Sequence, residues 1–252
     1  MISREELEKY KKEKGLDLGQ TEKDYLLELA LMIISRETKN DLVFKGGTCL
    51  YKFHGLNRFS EDLDFSGKEG FDHQALFDKL VASLEDYGVK GKLKEVREPF
   101  NTILATLRLE GPLYDGRSMT YASIRVDINR KSEVLLPPVL ETFYSGYKDV
   151  LPFQILCMDK VEIAAEKVRA IMTSDKARDV YDLWFLLKKG VLIDHKLLEK
   201  KMEYYHQIFE KKEFESRMAN KQAGWEDDLS RLIFGPLPDF TSVNEEIMKK
   251  IN

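Results

Sequence analysis

Cysteine is scarce in this chain: only Cys49 and Cys157 occur among its 252 residues. Two thiols cannot build a disulfide framework or an all-cysteine zinc site, which points to a reduced compartment. Long apolar runs are missing as well. The longest, Leu26 to Ile34, is interrupted by Glu28 and falls far short of the ~20 residues a membrane span needs. The opening MISREELEKYKKEKG mixes acids with bases and has no apolar centre, unlike a secretory signal. Charge of one sign is also lacking. With 44 acidic against 40 basic side chains, the net charge of −4 argues against coating duplex DNA, which needs a large positive field. Four histidines, His54, His73, His195 and His206, show neither metal-ligand spacing nor a nucleophile beside them, so a Cys- or Ser-based hydrolase has no support. What is present is 43% hydrophobic and 11% aromatic content, which excludes a disordered chain and suffices for one large domain or two small ones. The expectation is a cytoplasmic protein with no membrane partner.

Patterning divides the chain near residue 150. Residues 1–150 read as a mixed α/β part with N-terminal helices, and 151–252 as a helical part, giving an α+β fold. Ser3 and Glu6 have the form of a capping box, Gly15 ends that helix, and a second helix opens near Thr21 with a broad apolar face. Leu42-Val43-Phe44 breaks at Gly46-Gly47, a short helix runs from Thr48 to Phe53, Glu61 to Ser66 reads as a strand, and Asp72 to Tyr87 as an amphipathic helix. Between Val89 and Ile128 the period becomes two, as in half-buried strands. Pro137-Pro138 and Pro152 predict irregular chain, and beyond Asp159 nearly everything is expected to be helical.

The segment from Phe44 to Ser66, FKGGTCLYKFHGLNRFSEDLDFS, concentrates the chemistry. A strand entering Gly46-Gly47 and then a helix presents free N–H groups at the positive end of a helix dipole. Glycine admits an anion close to the backbone, and Thr48 adds a hydroxyl. Taken alone, the turn reads equally as an ordinary strand-to-helix connection. In the strand that follows, Asp62 and Asp64 share one face while Leu63 and Phe65 take the other, with Cα atoms ~7 Å apart. Like charges so placed repel, and a hard divalent cation such as Mg²⁺ supplies the compensation; a solvated strand face is the plainer alternative. Asp127 lies on the polar face of the strand ending at Ile128 and completes a set of three if the two strands pair. Two metals ~3.5–4 Å apart on such carboxylates activate a hydroxyl and stabilise a leaving pyrophosphate.

In the helical part, Asp159 and Glu162 have the form of a capping box opening the helix that carries Lys167, a lysine expected off the packing stripe and solvated. Arg178, Asp179 and Asp182 crowd one region of the next helix, either as an exposed ion pair worth a few tenths of a kcal/mol or as a functional cluster. Residues 188–221 hold nine Lys/Arg against six Asp/Glu with Tyr204, Tyr205, Phe209 and Phe214 interleaved. That reads either as contacts for unpaired RNA bases or as helices with charged faces and aromatic cores.

The Gly-Gly-Thr turn followed by Arg58-x-Ser60-x-Asp62-x-Asp64 resembles the signature of the AbiEii nucleotidyltransferases, within the polymerase-β-like superfamily. Glu166-Lys167 and then KARDVYDLWFLL, from Lys176 to Leu187, resemble that family's lysine helix and Arg-Asp-x-x-Asp helix. The spacing of fourteen residues between Gly47 and Asp62 is a little longer than the superfamily's general pattern. The resemblance implies a polymerase-β-like domain with a small mixed sheet, completed by the helical part. It implies nucleoside triphosphate binding by Gly46, Gly47, Thr48, Arg58, Ser60 and Arg178, and Mg²⁺, two ions, on Asp62, Asp64 and Asp127. It assigns Lys167 to phosphate charge and Asp179 or Asp182 to orienting the nucleotide or acceptor. The implied activity is NMP transfer from an NTP to RNA, with the 3′ end of tRNA foremost, by the toxin of a type IV toxin–antitoxin or abortive-infection system whose antitoxin is encoded nearby. Transfer to a protein hydroxyl, or a non-catalytic nucleotide-binding module, are the alternatives.

Overall fold

The computed structural model describes residues 1–99, 101–130 and 134–251. The chain forms two compact units. One comprises residues 1–53, 61–133 and 139–157; the other comprises 54–60, 134–138 and 158–252. The observed division is therefore discontinuous, whereas the sequence reading placed a single cut near residue 150.

In the first unit, α1 (Arg4–Lys14) starts at the Ser3–Glu6 capping box and ends on Gly15 in the left-handed conformation. α2 (Leu18–Thr38) begins earlier than expected, because Asp17 and Gln20 form a second reciprocal capping box. A seven-stranded sheet follows from β1 (Leu42–Lys45), β2 (Asp62–Gly67), β3 (Gly91–Arg97), β4 (Thr102–Leu109), β5 (Ala122–Asn129), β6 (Val139–Phe143) and β7 (Phe153–Cys157). Its order is β3-β4-β5-β2-β1-β7-β6. β2 runs parallel to β5 and β1 parallel to β7, while the other neighbours are antiparallel. The chain read as irregular around Pro137-Pro138 and Pro152 thus contains the β6–β7 pair; both strands have five residues, too few to display a period.

One face of the sheet is apolar. Leu63 and Phe65, Ile103, Ala105 and Leu107, and Ile124, Val126 and Ile128 alternate onto it and are buried. Each of the larger of these side chains contributes about 1.5–3 kcal/mol on leaving water. α2 packs on β5 and β7, and α4 (His73–Asp86), capped by Asp72, packs on α2 and β3. α3 (Gly46–His54) leaves β1 directly. α2 is buried along most of its length, Asp24 and Glu28 included. Lys52 of α3 reaches both carboxylates at 2.5 Å, and Lys14 reaches them at 2.8 and 3.1 Å.

The second unit is built from α5 (Lys160–Thr173), α6 (Arg178–Lys188), α7 (His195–Glu203), α8 (Lys211–Asn220), α9 (Trp225–Leu229) and α10 (Phe240–Met248). α5 packs on α6, α7 and α8, and Arg58 bridges to Ile233. Asp159 caps α5 through the N–H of Val161. The expected capping box is not made: Glu162 turns inward, accepts from the N–H groups of Leu135 and Leu136 and pairs with Lys201. No helix among the described residues is long and apolar enough to cross a membrane.

Candidate functional site

β1 delivers the chain to Gly46 with φ +73°, a conformation that side chains other than glycine rarely adopt. A Cβ built there would stand 2.3 Å from Oδ2 of Asp64. Glycine is therefore what lets the backbone and this carboxylate approach each other. Gly47 and Thr48 are buried in the first turn of α3. The Thr48 hydroxyl, read as part of an anion cradle, donates to the carbonyl oxygen of Asp62 at 2.5 Å and ties α3 to the start of β2.

The parallel register of β2 and β5 sets Asp62 beside Arg125 and Asp64 beside Asp127, on strands ~4.8 Å apart. On the other side, β1 places Lys45 opposite Asp64. Strand alternation brings Asp62, Asp64, Arg125 and Asp127 onto the polar face. The condition attached to Asp127 is met, since its strand is the direct neighbour of the one bearing Asp62 and Asp64. Arg125 shares this face two residues before Asp127. Its Nη2 donates to Asp62 Oδ2 at 2.6 Å, and its Nε lies 3.4 Å from Asp127 Oδ2. The sequence signal for it was the Arg-x-Asp alternation itself.

Three carboxylates on adjacent strands, next to a glycine no Cβ could replace, form an all-oxygen donor set of the kind Mg²⁺ prefers. Among the described residues no group of three His, Cys, Asp or Glu stands close enough to hold an ion as it is. The positive charge beside Asp62 and Asp127 comes instead from Arg125.

A second cluster lies wholly within the helical unit. Lys167, expected in solvent, is largely buried, with Nζ 2.7 Å from Asp179 Oδ1 and 2.7 Å from Asp182 Oδ2. Burial pulls this ammonium's pKa down, but the two carboxylates outweigh it and hold Lys167 well above the ordinary lysine range. Asp182 is fully enclosed. Arg58 grips it with Nε at 2.6 Å and Nη2 at 2.7 Å, and donates Nη1 to the carbonyl of Phe59. Burial pushes the Asp182 pKa up, and Arg58 and Lys167 bring it below the usual carboxylate value. The surface pair expected between Arg178 and Asp182 is thus replaced at Asp182 by buried partners from distant sequence. Ser60 is buried and Arg178 half-buried in the same unit.

In residues 188–221 Lys201 pairs with Glu162 and Glu166, and Lys221 bonds the carbonyl of Ser174, both buried. Phe214 is in the core, and Tyr204 meets Tyr205 edge-on under the Arg169 guanidinium. These contacts account as packing for three of the four interleaved aromatics but for only two of the nine basic side chains.

A family model described as nucleotidyl transferase AbiEii toxin, type IV toxin–antitoxin system, matches residues 31–246. Among solved structures, the fold is similar to MenT4, a nucleotidyltransferase toxin from Mycobacterium tuberculosis H37Rv. The TM-score is 0.68 at 20% identity, over 99% of this chain and 88% of that one. JHP933 from Helicobacter pylori is similar with a TM-score of 0.55 at 17% identity, over 88% and 87% of the two chains. Among curated protein sequences none matches the chain significantly.

Proposed function

Because the chain belongs to the AbiEii family of nucleotidyl transferase toxins of type IV toxin–antitoxin systems, we propose that it transfers a nucleoside monophosphate from a Mg²⁺-bound NTP to an RNA acceptor, tRNA foremost. The observation that carries this reading is the placing of Asp62, Asp64 and Asp127 on one face of neighbouring strands, with Gly46 against Asp64. An acceptor hydroxyl attacks the α-phosphorus, the bond to the β-phosphate oxygen breaks, and pyrophosphate leaves. Asp62, Asp64 and Asp127 would hold Mg²⁺, which when bound supplies charge for the pentavalent phosphorus and the leaving group.

The chain's own groups do the rest. The N–H groups of Gly46 and Gly47, at the start of α3, receive phosphate oxygens. A carboxylate of the face accepts the proton lost by the attacking hydroxyl. Lys167, kept protonated by Asp179 and Asp182, neutralises phosphate charge, and Asp179 orients the nucleotide or acceptor. Arg58 and Asp182 satisfy each other in the interior, which supports a scaffolding share for them: they hold Lys167 in place rather than contact the nucleotide. An antitoxin partner follows from the family, and the reduced, soluble character read from the sequence suits action in the cytoplasm.

The test is incorporation of each α-labelled NTP into total cellular RNA with Mg²⁺, by the wild type, Asp62→Ala and Lys167→Ala. A tRNA-sized labelled band is expected from the wild type, absent with Asp62→Ala and reduced roughly 10²-fold or more with Lys167→Ala. Label on a ribonuclease-resistant protein band would move the acceptor to a protein hydroxyl. No label in either fraction would overturn the transferase reading of this site.

A further inference from the structure

The geometry points to Arg125 as an internal counter-cation that competes with the divalent ion for the carboxylate face and yields to it when a triphosphate arrives. This inference rests on the metal-site reading above.

Register and alternation place Arg125 among these carboxylates. It stands beside Asp62 across the β2–β5 ladder, and two residues before Asp127 on its own strand. Nη2 takes Asp62 Oδ2 at 2.6 Å, and Nε faces Asp127 Oδ2 at 3.4 Å. Those are oxygens that a cation on this face would need. A guanidinium and a hard ion cannot both hold one oxygen at full strength, so one must withdraw. Arg125 is built to be the one. Its side chain is 41% exposed, against 20% and 19% for Asp62 and Asp127. Its long stem can swing toward solvent, while the short carboxylate side chains stay on the sheet.

Arg125 carries its guanidinium fork with it when it moves. It needs another anion to pair with once displaced, and a triphosphate is that anion, with oxygens suited to a guanidinium fork. The cation and the triphosphate then favour each other's binding through Arg125, because each removes a cost the other would meet alone. Without nucleotide, the same arginine keeps a face of three carboxylates from repelling itself apart. Arg125 is on this account a positioning residue, acting through Asp62 and Asp127.

The experiment is titration of Mn²⁺ alone, followed by the loss of its free electron paramagnetic resonance signal, with the wild type, Arg125→Met, Arg125→Gln and Asp62→Asn. Arg125→Met and Arg125→Gln are expected to bind Mn²⁺ roughly tenfold more tightly than the wild type without nucleotide. Both variants should also melt at lower temperature than the wild type without metal, and recover on adding it. A residue that merely stabilised the fold would not raise metal affinity when removed. Two neutral replacements guard against one that fails to fold. If both bind Mn²⁺ no more tightly than the wild type, while Asp62→Asn abolishes binding, the counter-cation role is overturned and the metal site stands. If no form, wild type or variant, binds Mn²⁺, the metal-site reading falls and this inference with it.

Discussion

At Gly46 the φ of +73° coincides with a carboxylate standing where a side chain would begin, whereas Gly55, at φ +72°, has open space around it. The two glycines separate backbone strain from close approach. Gly55→Ala is expected to cost about 1–2 kcal/mol, the ordinary penalty of the left-handed region, and to leave nucleotide transfer intact. Gly46→Ala carries the same strain and in addition drives Asp64 off its position, so it should melt lower still and abolish transfer. Thermal melts and the labelled-NTP assay on both variants check this; equal behaviour would mean that the Asp64 contact carries no functional weight.

Between elements, the anchors are buried ion pairs rather than apolar contacts alone. α3 is held to α2 by Lys52, whose ammonium sits between Asp24 and Glu28 and is about as buried as they are. Lys52→Met leaves those carboxylates with one basic partner fewer and is expected to cost about 3–5 kcal/mol, read from urea denaturation. Arg58→Ala should cost about as much by stranding Asp182, and the double variant with Asp182→Ala should recover part of that loss. Such pairs also mark where sequence reading stops. The cap of α1, the alternation of β4 and β5 and the Gly46 turn are local patterns, and each was legible. So was the sharing of one face by Asp62 and Asp64. The partner of Arg58 lies 124 residues away, and nothing near either residue announces it. Lys167 looked solvated for the same reason: its neighbours in sequence say nothing of Asp179 and Asp182 folding over it. β6 and β7 were missed because five residues beside proline carry too little pattern.

Over the whole molecule, each unit contains a carboxylate held below its ordinary pKa. In the first, burial pushes Asp24 up, but Lys52 and Lys14 outweigh it and bring it to about 2. In the second, Arg58 and Lys167 do the same to Asp182 against its burial. A depressed pKa means that the unfolded chain takes up the proton first. The stabilisation is complete above the unfolded value, near pH 4, and is lost as pH falls through the folded one. Urea midpoints should therefore show no loss from these two groups between pH 7 and about 5, then fall steeply below pH 4. Asp182→Asn should lower the plateau and flatten the acid slope; an unchanged slope in that variant would assign the acid loss elsewhere.

The chain enters the helical unit at residues 54–60, leaves it, and returns only at 134–138 and 158. Arg58 must therefore wait for Asp182 to be synthesised, and the segment around it waits longer still, for Leu232 and Ile233. On the ribosome, the sheet strands can pair while the helical unit still lacks the residues that enclose its first segment. The long return of the chain thus sets an order of assembly, in which the segment carrying Arg58 stays open until the residues that enclose it have been made.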